Sequence, residues 1–219
     1  MKLLLTDSGV RNESIRAALV ELLGKPVEEA TALCVPTGGY GGPYGDPEGP
    51  WRFVSGRAEA PMVGLGWKSV GVLELTALPG IEGERWVSWV RAADALLVNG
   101  GDALYLAHWM RESGLAELLP SLDDTVYLGL SAGSMAVTPR VGEEFVDWRP
   151  SSGGDEGLGI VGFSVFPHWT EGPEGEAGAE RWAAGIGGPA YAIDAETAIK
   201  VVDGVVEVVS EGRWRLFGG

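Results

Sequence analysis

Thr125-Val126-Tyr127-Leu128-Gly129-Leu130-Ser131-Ala132-Gly133 decides how this chain is read. The apolar run has the make-up of a buried strand, and G-x-S-x-G follows it directly. After a strand, that spacing reads as a nucleophile elbow, a sharp strand-to-helix turn that lifts one serine hydroxyl clear of the backbone. The flanking glycines fit, because a β-carbon at either would collide with the tight turn. Ser131 is therefore a candidate attacking group.

Outward from this stretch, short apolar segments alternate with helical ones. Lys2 to Thr6, Thr31 to Pro36, Val70 to Leu75, Ala95 to Val98, Thr125 to Leu130 and Gly162 to Phe166 read as strands. Unbroken apolar runs of this length fit strands covered on both faces, as in parallel sheets. Helices are expected from about Glu13 to Leu23, capped by Asn12 and stopped by Gly24, and from Glu82 to Ala93, with Trp86, Trp89 and Val90 inward. Two more are expected. One runs from Ala103 to about Ser113, with Gly114 as its stop; the other runs from Pro173 to Ala184, with Trp182 inward and proline at the first helical position. Gly38 to Pro50, rich in Gly, Pro and Tyr, reads as a long loop beside the site. Tyr191 to Ile193, Ala198 to Val202, Val205 to Val209 and Trp214 to Phe217 read as short strands, with Asp203-Gly204 a hairpin turn. No repeat or composition break divides the chain. The expectation is one α/β domain over residues 1–219: a doubly wound, mostly parallel sheet with flanking helices and antiparallel C-terminal edge strands.

The formal charge of −15 argues against nucleic acid or an anionic membrane as the partner, since both favour a basic surface. One cysteine excludes an intrachain disulfide, and Cys34 lies in an apolar strand as a core residue. With two histidines and that one cysteine, no dedicated zinc site is expected, and no cofactor is called for. The N-terminal apolar run is too short for a signal peptide, and no stretch approaches the roughly 20 apolar residues of a membrane helix. The cytoplasm is the expected compartment.

In an open parallel sheet, ligands bind beyond the carboxyl ends of the strands. Gly100-Gly101, Ser131 and His168 each fall just past such an end, so the fold gathers them along one edge. A serine hydroxyl is protonated at neutral pH and needs a base within hydrogen-bond reach. His108 lies mid-helix and reads as a surface or satisfied helical histidine. His168, in a loop behind Pro167, is the expected base. The base needs a carboxylate to hold its tautomer. Between serine and histidine in the chain stand Glu143, Glu144, Asp147, Asp155 and Glu156; Glu144 is favoured, then Glu143, then Asp147. Oxyanion donors are expected from the amides of Ala132 and Gly101. Gly100 and Asp102 are the adjacent substrate-binding candidates. Arg140 and Arg149 are each read as surface residues, although either has a fork suited to a peptide carboxylate.

Asn99-Gly100-Gly101-Asp102-Ala103-Leu104-Tyr105-Leu106, then Gly129-Leu130-Ser131-Ala132-Gly133-Ser134, then Phe166-Pro167-His168 resemble peptidase family S51. That family includes dipeptidase E, an aspartyl dipeptidase, and the more distant cyanophycinases. The resemblance implies a class I glutamine-amidotransferase-like fold in which serine replaces the amidotransferase cysteine. It implies Ser131 as nucleophile, His168 as base, and Gly101 with Ala132 as oxyanion donors. It also implies an acidic residue after the elbow. An ungapped match puts Val146 there, flanked by Glu144 and Asp147. The family's Gly-Gly-Asn-Thr-Phe is here Gly-Gly-Asp-Ala-Leu at 100 to 104, and the added carboxylate works against acidic substrates.

The resulting expectation is a serine peptidase acting on short peptides, with a homodimer as the assembly the resemblance allows. An esterase or amidase with the same kind of site is the first rival. A non-catalytic small-molecule binder on an amidotransferase-like fold is the second.

Overall fold

The computed structural model describes residues 1–43, 45–151 and 153–218. In chain order the elements begin with β1 (Lys2–Thr6), α1 (Glu13–Leu23), β2 (Thr31–Val35), α2 (Glu48–Val54), β3 (Ser69–Val72), α3 (Gly83–Ala92) and β4 (Ala95–Val98). They continue with α4 (Ala103–Glu112), α5 (Leu115–Leu118), β5 (Val126–Leu130), α6 (Ala132–Met135), β6 (Ser164–Phe166) and α7 (Pro173–Ile186). The chain closes with β7 (Ala190–Ile193), β8 (Thr197–Val202), β9 (Val205–Ser210) and β10 (Trp214–Phe217).

Seven strands form the main sheet in the order β3-β2-β4-β5-β1-β8-β9. The first five are parallel; β8 and β9 continue the sheet antiparallel. Alternation along each strand sends side chains to two apolar layers. Leu3, Leu5, Leu96, Val98 and Tyr127 face one layer with Trp86 and Val90 of α3 and Leu106 and Met110 of α4. Leu4, Ala95, Leu97, Val126 and Leu128 face the other, with Ile15, Leu19 and Leu22 of α1. Cys34 is fully buried in this second layer, where burial pushes its thiol up to about 11. The fold is the doubly wound, mostly parallel arrangement expected, with antiparallel C-terminal strands.

Local signals set the helix ends. The Asn12 side chain accepts from the Ile15 amide at 2.9 Å, and Gly24 closes α1 in the left-handed region, at φ 68°. Asp102 caps α4 in the same way, and Pro173 opens α7.

Four details differ from the sequence reading. The strand expected at 162–166 is outside the main sheet: β6 pairs with β7 in a separate three-stranded sheet, order β10-β7-β6. The strand expected at 70–75 ends at Val72, because Glu74 caps a 3₁₀ stretch from Leu75 to Gly80. Trp89 is 40% exposed; Trp86 and Val90, four residues apart, take the buried stripe of α3, and Trp89 falls beside it under the Arg85 guanidinium. The segment 38–50 is partly helical, with a 3₁₀ turn at Thr37–Tyr40 and the start of α2 at Glu48. Tyr44 within it lies outside the described residues.

Candidate active site

Ser131 follows β5 and precedes the short α6, with φ 49° and ψ −111°. Such a conformation is strained for a residue with a side chain and persists only where neighbours enforce it. The glycines on either side allow the turn to close. A β-carbon at Gly133 would stand 2.4 Å from the Val98 carbonyl oxygen, and one at Gly129 would stand 2.9 Å from the Gly133 carbonyl. The buried Tyr127 hydroxyl donates to the Gly133 carbonyl at 2.7 Å and pins the turn from below. The end of β1 grips it from the side. The Thr6 carbonyl accepts from the Ser131 amide at 3.0 Å and from the Ser134 hydroxyl at 2.8 Å, while the Thr6 hydroxyl donates to the Gly129 carbonyl at 2.7 Å.

His168 lies two residues past β6, also with positive φ, at 58°. Its Nε2 is 2.8 Å from the Ser131 hydroxyl oxygen. The small sheet therefore delivers the ring to the edge of the large one. His108 stays on α4, half-buried against the rings of Trp109 and Trp148.

The carboxylate at His168 comes from outside the candidates named above. Asp7, the residue after β1, places Oδ1 3.0 Å from the ring Nδ1 and also accepts the His168 backbone N–H. Its side chain is 2% exposed, and its Oδ2 accepts from the Ser8 hydroxyl at 2.7 Å. Burial alone would raise the Asp7 carboxyl; the hydrogen bonds and charge of His168 outweigh it and hold the group below the usual carboxylate range. The hydrogen bond to Asp7 in turn raises His168, against the opposing effect of burial.

Glu144, Glu143 and Asp147 do not reach the histidine. All three are exposed; Glu143 pairs with Arg149. Val146, at the position where the resemblance puts an acid, packs with Ala103, Leu104, Ala132 and Met135. Asp155 is held by Arg140 at 3.0 Å and by the Gly142 amide at 2.9 Å, so Arg140 and Asp155 satisfy one another away from the serine. Sequence order points to the stretch between serine and histidine and so passes over Asp7. In a parallel sheet the neighbour of β5 is β1, whose carboxyl end lies beside the elbow although it is the first strand of the sequence. The strand-end rule that selected the other residues marks Asp7 as well.

Gly100 and Gly101 pass directly against the serine. A β-carbon on Gly100 would lie 3.4 Å from that of Ser131. Gly101 has φ 117°, and a β-carbon there would fall 2.2 Å from the Gly38 carbonyl oxygen, so only glycine fits. Neither the Gly101 nor the Ala132 amide has a hydrogen-bond acceptor among the described residues. Asp102 is 7% exposed, with both carboxylate oxygens engaged: one accepts from the Tyr105 amide and the other from the Trp148 amide, each at 2.8 Å. Burial raises its carboxyl, the two amides oppose the rise, and Asp147 adds to it. A cavity of about 150 Å³ opens here between Gly39, Gly41, Gly42, Gly45, Gly101, Asp102 and Asp147.

Among the described residues, no cluster of His, Cys, Asp or Glu is arranged to hold a metal ion, and no helix is long and apolar enough to cross a membrane. An elbow serine bonded to a histidine at the carboxyl edge of a parallel sheet defines a serine-type hydrolase. The profile of peptidase family S51 matches residues 3–209, and the chain belongs to that family of serine-type peptidases. Among solved structures, it is similar to a protein named for peptidase E from Listeria monocytogenes EGD-e, at 18% identity and TM-score 0.66, covering 96% of this chain and 98% of that one. It is also similar to a peptidase from an acI-B1 Actinobacterium, at 19% identity and TM-score 0.71, covering 100% of this chain and 91% of that one. None of the curated proteins compared matches.

Proposed function

We propose that the protein hydrolyses short peptides through an acyl-enzyme on Ser131. The observation that carries this reading is the 2.8 Å contact between the Ser131 hydroxyl and His168 Nε2, made by a serine on a strained elbow. His168 takes the hydroxyl proton as the serine oxygen attacks the scissile carbonyl carbon. The amides of Gly101 and Ala132 donate to the oxygen that becomes negative. The C–N bond breaks, and the amine leaves with the proton from His168. Water then adds to the ester, giving a proton to His168, and the carboxylic acid departs as His168 passes that proton to the Ser131 oxygen.

Asp102 and Asp147 border the cavity next to Gly101, so an acidic side chain entering it meets like charge. The reading therefore favours neutral or basic residues there over aspartate. A product-resolved screen of di-, tri- and tetrapeptides tests the whole. Ser131→Ala should lower turnover by at least about 10³-fold with the fold intact. Wild-type turnover in that variant would remove the proposal, and cleavage of simple esters with no peptide cut would give the site to an esterase.

A further inference from the structure

We propose that Asp7 is the positioning residue of this active site, holding His168 by ring and by main chain so that Nε2 faces Ser131 as an acceptor. The inference rests on the peptidase reading and adds a residue from the opposite end of the sequence to the site.

One carboxylate oxygen holds the histidine at two points. Asp7 Oδ1 accepts both the ring Nδ1–H and the backbone N–H of His168. The backbone bond fixes a residue at φ 58°, a conformation that costs energy in a non-glycine residue and needs a holder. The ring bond fixes the tautomer. With the proton on Nδ1, a neutral imidazole has its lone pair on Nε2, as a base for the serine requires. The second oxygen takes the Ser8 hydroxyl, so the buried anion has three donors.

The preceding residue completes the device. Thr6 binds the elbow through its carbonyl and its hydroxyl, and Asp7 binds the histidine. Two consecutive residues at the end of one strand therefore set the separation between nucleophile and base. His168 has no such support from the stretch after the elbow, where the position implied by the family resemblance is occupied by Val146. From β1 the ring faces Asp7, with Ser8 behind it; from the elbow it faces Ser131. Among the described residues, Asp7 is the one whose charge acts on the imidazole.

The test reads His168 directly. In a His108→Gln background one imidazole remains, and its nitrogen NMR shifts report tautomer and titration. The neutral ring should carry its proton on Nδ1. In Asp7→Asn, which keeps an acceptor oxygen but loses the charge, the titration should move to lower pH. The acid limb of kcat/KM should move with it, and kcat should fall roughly 10²–10⁴-fold. A neutral ring protonated on Nε2, or an unchanged titration in Asp7→Asn, overturns the proposal. Should Asp7→Asn fail to fold, the tautomer of the parent protein still decides. Should the parent cleave no peptide while the titration shifts as expected, the peptidase reading falls and the role of Asp7 stands.

Discussion

Two aspartates are buried at the same edge of the main sheet, on either side of Ser131, and they behave in opposite ways. Asp7 follows β1 and Asp102 follows β4 by a short turn. Both are less than a tenth exposed, and both accept main-chain N–H groups. Asp7 is held below the usual carboxylate range, whereas Asp102 is raised above it. Burial pushes both upward. What differs is what opposes burial: at Asp7 the hydrogen bonds and charge of His168 outweigh it, whereas at Asp102 two main-chain amides do not, and the charge of Asp147 adds a smaller push in the same direction as burial. A buried carboxylate is thus made a stable anion or a reluctant one by whether its hydrogen-bond partners and neighbouring charge outweigh desolvation.

The largest expected effect would break this comparison if it failed. Asp7→Asn should lose roughly 10²–10⁴-fold in kcat, while Asp102→Asn keeps turnover within about an order of magnitude. Asp102 reaches no reacting atom; it caps a helix and ties the loop before Trp148. Equal losses in steady-state peptide hydrolysis would mean that the two carboxylates share one role.

Asp102 should show itself in stability instead. Asp102→Ala removes a helix cap and leaves the Trp148 amide without its acceptor, for a cost of about 1–2 kcal/mol. Chemical denaturation of Asp102→Ala beside the parent measures this. An Asp102→Ala midpoint equal to the parent's would show that the two amides find other acceptors or do without them.

Most of the residues the structure gathers at the candidate site could be picked out from the sequence because they obey one local rule. Ser131, Gly101 and His168 each announce themselves as special residues just beyond apolar runs. Asp7 obeys the same rule, but Thr6-Asp7-Ser8-Gly9 looks like an ordinary turn until β1 is known to lie beside β5, and that adjacency is a non-local fact. The same reason hid the separate sheet. β6 looks like any short apolar strand, and only its pairing with β7 shows that the base arrives from a different layer. The acidic stretch at 143–147 misled for the converse reason: charge density in sequence marks solvent exposure more often than chemistry.

The pH dependence of stability follows from the Asp7–His168 pair. Asp7 has a lowered carboxyl, so its contribution is present above its unfolded-state value and is lost as pH falls through the lower folded value. His168 is raised, so its contribution is present below its unfolded-state value and is lost as pH rises through the higher folded value. The pair therefore stabilises most in the window between the unfolded-state Asp7 and the unfolded-state His168 ionisations. Thermal melts across pH should show that rise and fall in the parent and a flatter curve in Asp7→Asn. Because the imidazole is 57% exposed, solvent screening keeps the amplitude modest.

The smallest effect concerns the exposed acids, and it sharpens the contrast between a carboxylate that is held and one that is merely near. Glu143→Gln and Glu144→Gln alter neither the histidine nor the cavity wall and should leave turnover unchanged. Asp147→Asn is different, because Asp147 borders the cavity beside Gly101 and Asp102. Its charge is exposed, so an acidic substrate residue there is disfavoured only weakly, by a factor of about two to five for a screened pair. Removing that charge should raise kcat/KM for Asp-Leu relative to Ala-Leu by that factor, through KM and with kcat unchanged. The change has this form because a charge beside the cavity acts on binding and on the transition state alike. A fall in kcat instead would place Asp147 among the groups that touch the reaction, and the exposed stretch would regain the role assigned here to the buried end of β1.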